Sequence, residues 1–374
     1  MLKGFHLALL IGPAVPVPAP RPVVEALVGV QATNGGTKGG FQLQFAAGKD
    51  SPLVRTMLPA GYLGPGMRVV VVVTVNGFPH VLADGIVTRQ EIGASNEAGQ
   101  STVTVTGEDL SVLMDIVQMP DMRWPAVPAP VRVLGMLAKY APFGIVPVVI
   151  PPIFLDVPIP IKEIPAQTGT DLEYINQLAQ QNGHVFFVQP GPAPGANIAY
   201  WGPEFVLPVP QPALNVNMDA STNVEQLTFS LDGLAKKIVV LKVLDPVSKK
   251  VTIPIPVPNI SLLQPPLGVV LPPPLKVEFA KDTSKLDPLK AVALALARTS
   301  ASSHAVTASG QLNVLRYGRV LQARQLVGAR GAGLAYDGMY YVKSVTSTIR
   351  RGEFKQSFSL SRDGLVSITP RVVP

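Results

Sequence analysis

Cysteine is absent from the 374 residues of the chain. Its absence excludes disulfide scaffolds, cysteine-ligated zinc, iron–sulfur clusters and thiol catalysis. Histidine is scarce too: the four residues lie far apart, and no two have the i, i+4 spacing of a helical metal site. The sequence therefore predicts a protein without a bound metal ion or other cofactor.

Charged residues make up only 15% of the chain, against about 25% in an average soluble protein. Proline is abundant, with 39 residues, and hydrophobic residues reach 47%. Because proline ends or kinks helices, this composition excludes helical bundles, coiled coils and helical solenoids. The chain is also too apolar and too weakly charged for wholesale disorder.

The familiar catalytic motifs are missing. There is no Gly-x-Ser-x-Gly nucleophile elbow and no phosphate-binding Walker loop. Asp84 and Asp337 each precede a glycine, which is typical of turn residues rather than of catalytic carboxylates. We therefore expect the protein not to be an enzyme.

An apolar stretch at 141–161 is long enough to span a bilayer but contains six prolines. Lost helical hydrogen bonds are not replaced in lipid, so this stretch is predicted to be an extended strap packed on protein, without membrane insertion. The segment 1–20 imitates a signal peptide, but its apolar run is short and favours a first strand. A secreted β-rich adhesin remains an alternative that would require a true signal peptide.

Two regions carry a β pattern. Residues 68–75 are rich in valine and lead into Asn76-Gly77, a strong hairpin signal, and residues 101–106 alternate apolar and polar. The pattern predicts a first unit over 1–107, completed by 222–252. It predicts a second unit over 288–374, with a leading helix that starts at Asp287-Pro288.

The segments between these units differ in character. Residues 108–221 are predicted to form an inserted α+β domain with proline-rich straps, because Thr170 and Glu173 have capping-box spacing and Gly183 can end that helix. Residues 253–287 are predicted to be a proline-rich connector. The fold class expected from these patterns is α+β, mainly β.

The two β regions end alike. Each runs from an Asp-Gly pair through a strand, a turn and a second strand to a leucine, from Asp84 to Leu110 and from Asp337 to Leu365. Equivalent positions lie about 255 residues apart, which favours an internal repeat.

Three stretches in this order resemble the late-control D family, the baseplate hub proteins of contractile phage tails. They are DGMYYVKSVTSTIRRGEFKQSFSLSRDGL at 337–365, DGIVTRQEI followed by STVTVTGEDLSVLMD within 84–115, and TGTDLEYINQLAQQNGHVFFVQPG at 168–191. The proline-rich segments at 119–166 and 254–274 exceed what this pattern requires.

The resemblance implies two tail-tube-like antiparallel β-barrels and a structural role in a phage tail, tailocin or extracellular injection system. It implies a ring of three copies that adapts a six-fold inner tube to a three-fold spike and covers the open barrel edges. The expected partners are the chain itself, the inner tube protein, a separate spike protein and baseplate or wedge proteins. Assembly is expected in the bacterial cytoplasm, as part of a virion or a phage-tail-like particle.

The net charge of +7 comes from the end of the chain. Residues 291–374 carry eleven Lys/Arg and three Asp/Glu, whereas the rest carries twenty and twenty-one. Arg350 and Arg351, at a predicted hairpin turn, are candidates for docking an acidic partner surface. A nucleic-acid-binding β-barrel is the alternative, with Tyr340 and Tyr341 stacking on bases, although no specific nucleic-acid partner is expected.

Overall fold

The computed structural model describes residues 4–36, 39–97, 100–152, 157–161, 164–204, 207–241, 255–257, 266–279 and 304–369. The architecture is mainly β with a few short helices, which confirms the predicted α+β class. None of the helices in this part of the chain is long and apolar enough to cross a membrane.

The strands are numbered here in chain order. They are β1 (Phe5–Gly12), β2 (Val17–Pro18), β3 (Leu27–Gly35), β4 (Gly40–Ala46), β5 (Arg68–Val75), β6 (Phe78–Gly93), β7 (Thr102–Asp109), β8 (Gln118–Arg123), β9 (Ile145–Val149), β10 (Ala166–Thr170), β11 (Val185–Pro190), β12 (Asn197–Gly202), β13 (Leu207–Asn215), β14 (Val224–Leu231), β15 (Lys237–Leu241), β16 (Ile255–Val257), β17 (Gly268–Val270), β18 (Lys276–Phe279), β19 (Val306–Asn313), β20 (Gln325–Arg330), β21 (Gly338–Arg350), β22 (Glu353–Arg362) and β23 (Leu365–Ser367).

The α-helices of the described residues are α1 (Arg21–Ala26), α2 (Ala129–Ala138), α3 (Asp171–Asn182) and α4 (Val314–Tyr317), with one π-helical segment at Leu53–Met57 and 3-10 helical segments at Leu110–Asp115, Ala141–Phe143 and Asp219–Ser221. Helix α3 begins with the predicted capping box. The Thr170 hydroxyl accepts from the Glu173 N–H, and the Glu173 carboxylate accepts from the Thr170 N–H. Gly183 ends this helix in the left-handed conformation.

One 13-stranded sheet dominates the structure. Its main path runs β14-β19-β22-β21-β3-β4-β7-β6-β5-β1-β2, while β20 pairs with β21 and β13 pairs with β20. The sheet consists of two units that are joined edge to edge where β21 pairs with β3. Both units pack on a common apolar core.

The two units follow the same plan. Strands β1, β3, β4, β5, β6 and β7 of the first unit correspond, in chain order, to β13, β14, β19, β20, β21 and β22 of the second. Corresponding strands also have corresponding neighbours in the sheet. One pairing differs in direction: β1 is antiparallel to β5, whereas β13 is parallel to β20.

Two β-bulges fall at matching positions in the two units. Thr88 is the extra residue of β6 against β7, and Lys343 is the extra residue of β21 against β22. Val28 in β3 and Glu225 in β14 form the second matching pair. Because a bulge is a specific feature of a sheet, these matches indicate a duplicated unit. The spacing from Thr88 to Lys343 is the spacing that the sequence repeat predicts.

The strand pairing corrects the prediction that 222–252 completes the first unit. Strand β14, in that segment, pairs with β19 of the second unit. Residues 110–206 therefore connect the units, and the interruption of the second unit is 232–305. The alternating pattern of β14 fits either neighbour, so only the observed pairing distinguishes them. The predicted helix after Asp287 and about half of the connector lie outside the described residues.

Asp84 was predicted to be a turn residue, but it lies inside β6 and is buried. Its carboxylate accepts from Arg68 Nε and Nη2, each at 2.7 Å, and from Asn197 Nδ2 at 2.8 Å. Arg68 also donates to the Gly195 carbonyl at 3.1 Å. Because Asn197 and Gly195 belong to the connecting segment, this buried ion pair fixes that segment to the first unit.

The connecting segment has a core of its own. Trp201, Met136 and Ile175 are among its fully buried residues, between the sheet β11-β12-β9 and helices α2 and α3. On the side of the second unit, the guanidinium carbon of Arg324 lies 3.4 Å from the centroid of the Phe187 ring. This cation–π contact ties the segment to the second unit as well.

A half-buried histidine gives the second unit a predicted pH dependence. Burial and the nearby Lys343 cation lower the pKa of His304 to about 4, and its ring stacks on Tyr341. The unfolded chain takes up this proton near pH 6.5, so we expect the contribution of His304 to stability to be constant above that pH and to fall towards pH 4, by up to about 3 kcal/mol.

The check is chemical unfolding of the wild type and of His304→Phe between pH 7 and 4. His80 and His184 are retained in both proteins, so the difference between them isolates His304. The variant should lose less stability on acidification than the wild type. Identical pH profiles would contradict this assignment.

Candidate assembly interface

Eight strands form a continuous central sheet, β14-β19-β22-β21-β3-β4-β7-β6, with four strands from each unit. Within the described residues, each end of this sheet has an unpaired edge. Strand β14 pairs only with β19. In β6, the hydrogen bonds to the β5 side stop at Val87, so residues 88–93 pair only with β7. Unpaired edges are templates for pairing with another chain.

Apolar side chains accompany both free edges. Ile92 on β6 is 60% exposed, and Leu231 on β14 is 41% exposed. Both side chains lie on the face of the sheet that packs on the core. Ile92, for example, pairs with Val103 on β7, and Val103 and Val105 are both buried. The core therefore continues to both edges and is left open there.

The face of the central sheet opposite the core is polar and nearly free of net charge. Its hydroxyl and amide side chains include Gln31, Thr33, Gln42, Gln44, Thr104, Thr106, Ser309, Gln311, Thr346, Thr348, Ser357 and Ser359. Among the charged side chains at its margins, Arg89 pairs with Glu91 at 2.5 Å, Lys355 pairs with Glu225 at 3.2 Å and with Glu353 at 2.9 Å, and Arg350 lies at the end of β21. We call this surface the polar face.

Arg350 and Arg351, the docking residues predicted from the sequence, are exposed where β21 turns into β22. Arg350 ends β21 and pairs across the sheet with Gly29 on one side and Glu353 on the other. Arg351 donates from Nη2 to the Glu25 carbonyl at 3.3 Å. The two arginines therefore lie at one end of the central sheet, where a partner can reach them.

The tyrosines considered for base stacking are not accessible. Tyr340 and Tyr341 are both buried, and burial raises the pKa of Tyr341 to about 12. The guanidinium carbon of Arg362 lies 4.4 Å from the centroid of the Tyr340 ring, and Arg362 is itself buried, donating to backbone carbonyls such as that of Gly364. These three residues therefore stabilise the second unit and do not form a nucleic-acid surface.

The buried acids have structural partners. Asp109 accepts from the N–H groups of Gly39 and Ser111, although burial raises the pKa of its carboxyl. Asp171 accepts from Lys139, Tyr140 and Gln167. Among the described residues, no group of three potential ligands is placed to hold a metal ion.

Sequence reasoning missed the residues of the two free edges, Arg89 and Ile92 on β6 and Phe229 and Asp232 at β14. The available signal was the internal repeat, which relates residues 89–95 to the paired part of β21. It could be used only once the partner of β21 was known, and that partner, β3, belongs to the other unit.

No protein-family model matches the sequence, and a search of curated proteins found no significant match. Solved structures do match. A tail protein from Neisseria meningitidis MC58 is 13% identical with a TM-score of 0.61, over 97% of this chain and 98% of that one. The 43 kDa tail protein of prophage MuSo2 from Shewanella oneidensis is 12% identical with a TM-score of 0.63, over 97% and 100%.

A third match is the Francisella PdpA–VgrG complex, at 10% identity and a TM-score of 0.57, over 99% of this chain and 60% of that chain. At such low identity these similarities concern the fold. The chain is therefore similar, over nearly its whole length, to phage tail proteins and to a chain of a VgrG complex, and it shares their fold.

Proposed function

We propose that the chain is the structural, non-catalytic hub of the baseplate of a contractile injection machine, in which it adapts a six-fold inner tube to a three-fold spike. The fold shared with tail proteins and with a VgrG complex supports this proposal. The observation that carries it is the pair of free edges at the two ends of a sheet built from two copies of one unit.

The duplication predicts how these edges pair between copies of the chain. Within the chain, residues 344–350 of β21 pair with residues 35–29 of β3. The bulges align Lys343 of β21 with Thr88 of β6, and Val28 of β3 with Glu225 of β14. We therefore replace β21 by β6 and β3 by β14 in this pairing and keep the alignment of the bulges. Residues 89–95 of one copy should then pair with residues 232–226 of the next. We call this the intersubunit seam.

The side chains at the intersubunit seam are complementary in this register. Arg89 stands opposite Asp232, two positions of opposite charge, and Ile92 stands opposite Phe229. Opposite charges and apolar pairs facing each other across antiparallel strands each contribute about 0.2–1 kcal/mol. The open apolar edges would also be covered, so the seam explains the exposure of Ile92 and Leu231.

A contact between two different edges of the same chain is a head-to-tail interface, which closes into a ring or continues as a filament. The family resemblance favours closure with three copies, that is, six units. The polar face would then line a central channel. The other proposed partners are the inner tube protein, a separate spike protein and baseplate or wedge proteins, with assembly in the bacterial cytoplasm.

The direct test is the mass of the purified chain in native mass spectrometry and light scattering. A trimer is expected at micromolar concentration. A chain that stays monomeric at all concentrations and in the assembled particle would contradict the proposed ring.

Reversing Arg350 and Arg351 together to Glu should impair particle assembly more than folding. Both residues are exposed, so the folding cost should stay within about 0.5 kcal/mol, whereas docking on an acidic surface should weaken. The measurement is the yield of full-length particles beside the unfolding midpoint. The matched control is Arg123→Glu, a charge reversal at an exposed arginine of the connecting segment. Wild-type particle yield from the double variant would show that the turn is only a solvated surface.

A further inference from the structure

The strands of the central sheet run between two rims, and the two units are alike at one rim and different at the other. We call the end that carries the β6–β7 loop (94–101) and the β21–β22 turn (351–352) the hairpin rim, and the opposite end the insertion rim. On the basis of the proposed ring, we infer that the hairpin rim docks on a ring of six identical subunits, whereas the insertion rim faces a three-fold partner.

At the hairpin rim the chain makes the same connections in both units. A short helical segment precedes the first central strand: α1 before β3, and Asp219–Ser221 before β14. A helical segment also follows the second central strand: Leu53–Met57 after β4, and α4 after β19. The hairpin between the remaining two strands completes the set. Three copies would therefore present six nearly equivalent surfaces.

At the insertion rim the two units differ. The connection from β3 to β4 takes only residues 36–39, whereas the equivalent connection from β14 to β19 takes residues 232–305. Part of that insertion, β17, pairs with β23, which follows β22 at the same end of the sheet. Strand β7, by contrast, leads from this end into the connecting segment after Asp109.

Each of these additional bodies occurs once per chain, so a ring of three copies would carry three of each at the insertion rim. A six-fold partner could not make equivalent contacts there. The same partner could do so at the hairpin rim, because repetition of one surface six times satisfies six identical subunits. Symmetry therefore assigns one rim to each kind of partner.

The charges at the hairpin rim vary where its backbone does not. The β21–β22 turn carries Arg350 and Arg351, while position 96, related to Arg351 by the same shift as Thr88 to Lys343, is an asparagine next to Glu97. A six-fold partner would meet both hairpins, so shape must dominate docking and the arginines can add contacts at only three of the six positions.

The absence of cysteine makes this inference testable, because one introduced cysteine is a unique attachment point. Asn96→Cys and Arg351→Cys place it at equivalent exposed positions of the hairpin rim, one in each unit. Gly233→Cys places it at the insertion rim, where the glycine is exposed and an added side chain meets no atom. Each purified variant is coupled to a polyethylene-glycol maleimide.

The trimer mass of each labelled variant is measured first, and capture of purified six-fold rings of the tube protein from the same gene cluster is measured second. Labels at Asn96→Cys and at Arg351→Cys should each reduce capture to background, while the label at Gly233→Cys should leave it unchanged. Capture that is lost only with the Gly233→Cys label, or with only one of the two hairpin labels, would overturn the assignment. Loss of the trimer in every unlabelled variant and the wild type would instead refute the ring itself.

Discussion

Reversing the charge of Arg89 to Asp is expected to raise the dissociation constant of the trimer by about 100-fold. In the proposed seam this residue faces Asp232 of the neighbouring copy, so the change replaces an attractive pair by a repulsive one. A loss of about 1 kcal/mol at each of three seams gives this factor. Sedimentation or native mass spectrometry over a dilution series measures it.

The charge swap tests the register itself. Combining Arg89→Asp with Asp232→Arg should recover most of the lost affinity, because the opposite charges face each other again. Recovery should be incomplete, since the Asp232 carboxylate also accepts from the Leu234 N–H. Arg123→Asp, an equivalent reversal at an exposed residue of the connecting segment, is the matched control and should leave the trimer intact. A double variant as weak as the single one would contradict the proposed register.

Removing the carboxylate of Asp84 should destabilise the isolated subunit by about 3–5 kcal/mol. Both partners of its ion pair with Arg68 are buried, with side chains 0% and 3% exposed. Asp84→Ala would leave a buried guanidinium without its counter-ion, which costs more than the pair contributes when intact. The midpoint of urea unfolding measures the loss, and proteolysis of the connecting segment should become faster.

Two further variants separate charge burial from packing. Arg68→Met combined with Asp84→Leu removes both charges and should recover part of the stability, because apolar residues of similar size can replace a buried pair. Recovery should be incomplete, since Asn197 and the Gly195 carbonyl lose their hydrogen-bond partners. Asp50→Ala breaks an exposed pair with Arg55 and should cost less than about 1 kcal/mol. If Asp84→Ala were as mild as Asp50→Ala, the ion pair would not hold the connecting segment in place.

Local patterns predicted local structure well. The capping box at Thr170 and Glu173 depends on residues three positions apart, and the alternation over 101–106 reflects which face of one strand is buried. Both predictions are confirmed, because the interactions that determine them lie within a few residues. The mainly β class and the approximate repeat follow from the same kind of signal.

These local patterns could not predict which strands pair when the strands are far apart in the sequence. Asp84-Gly85 has the composition of a turn, and only Arg68, which lies beside it on the neighbouring strand, makes it a strand position. The partner of β14 was assigned to the wrong unit, because its alternation fits any half-buried edge. The residues of the proposed seam were harder still, since each pair is divided between two copies of the chain.

The polar face has a consequence for whatever passes through the proposed channel. Hydroxyls and amides both donate and accept hydrogen bonds, so a moving chain can exchange one partner for the next at little cost in free energy. Among the described residues of this face, the charged side chains lie at the margins, so the middle of the wall offers no charged position at which a cargo would be retained. Selection of the cargo would then have to occur before entry, and the hub would act as a low-friction passage.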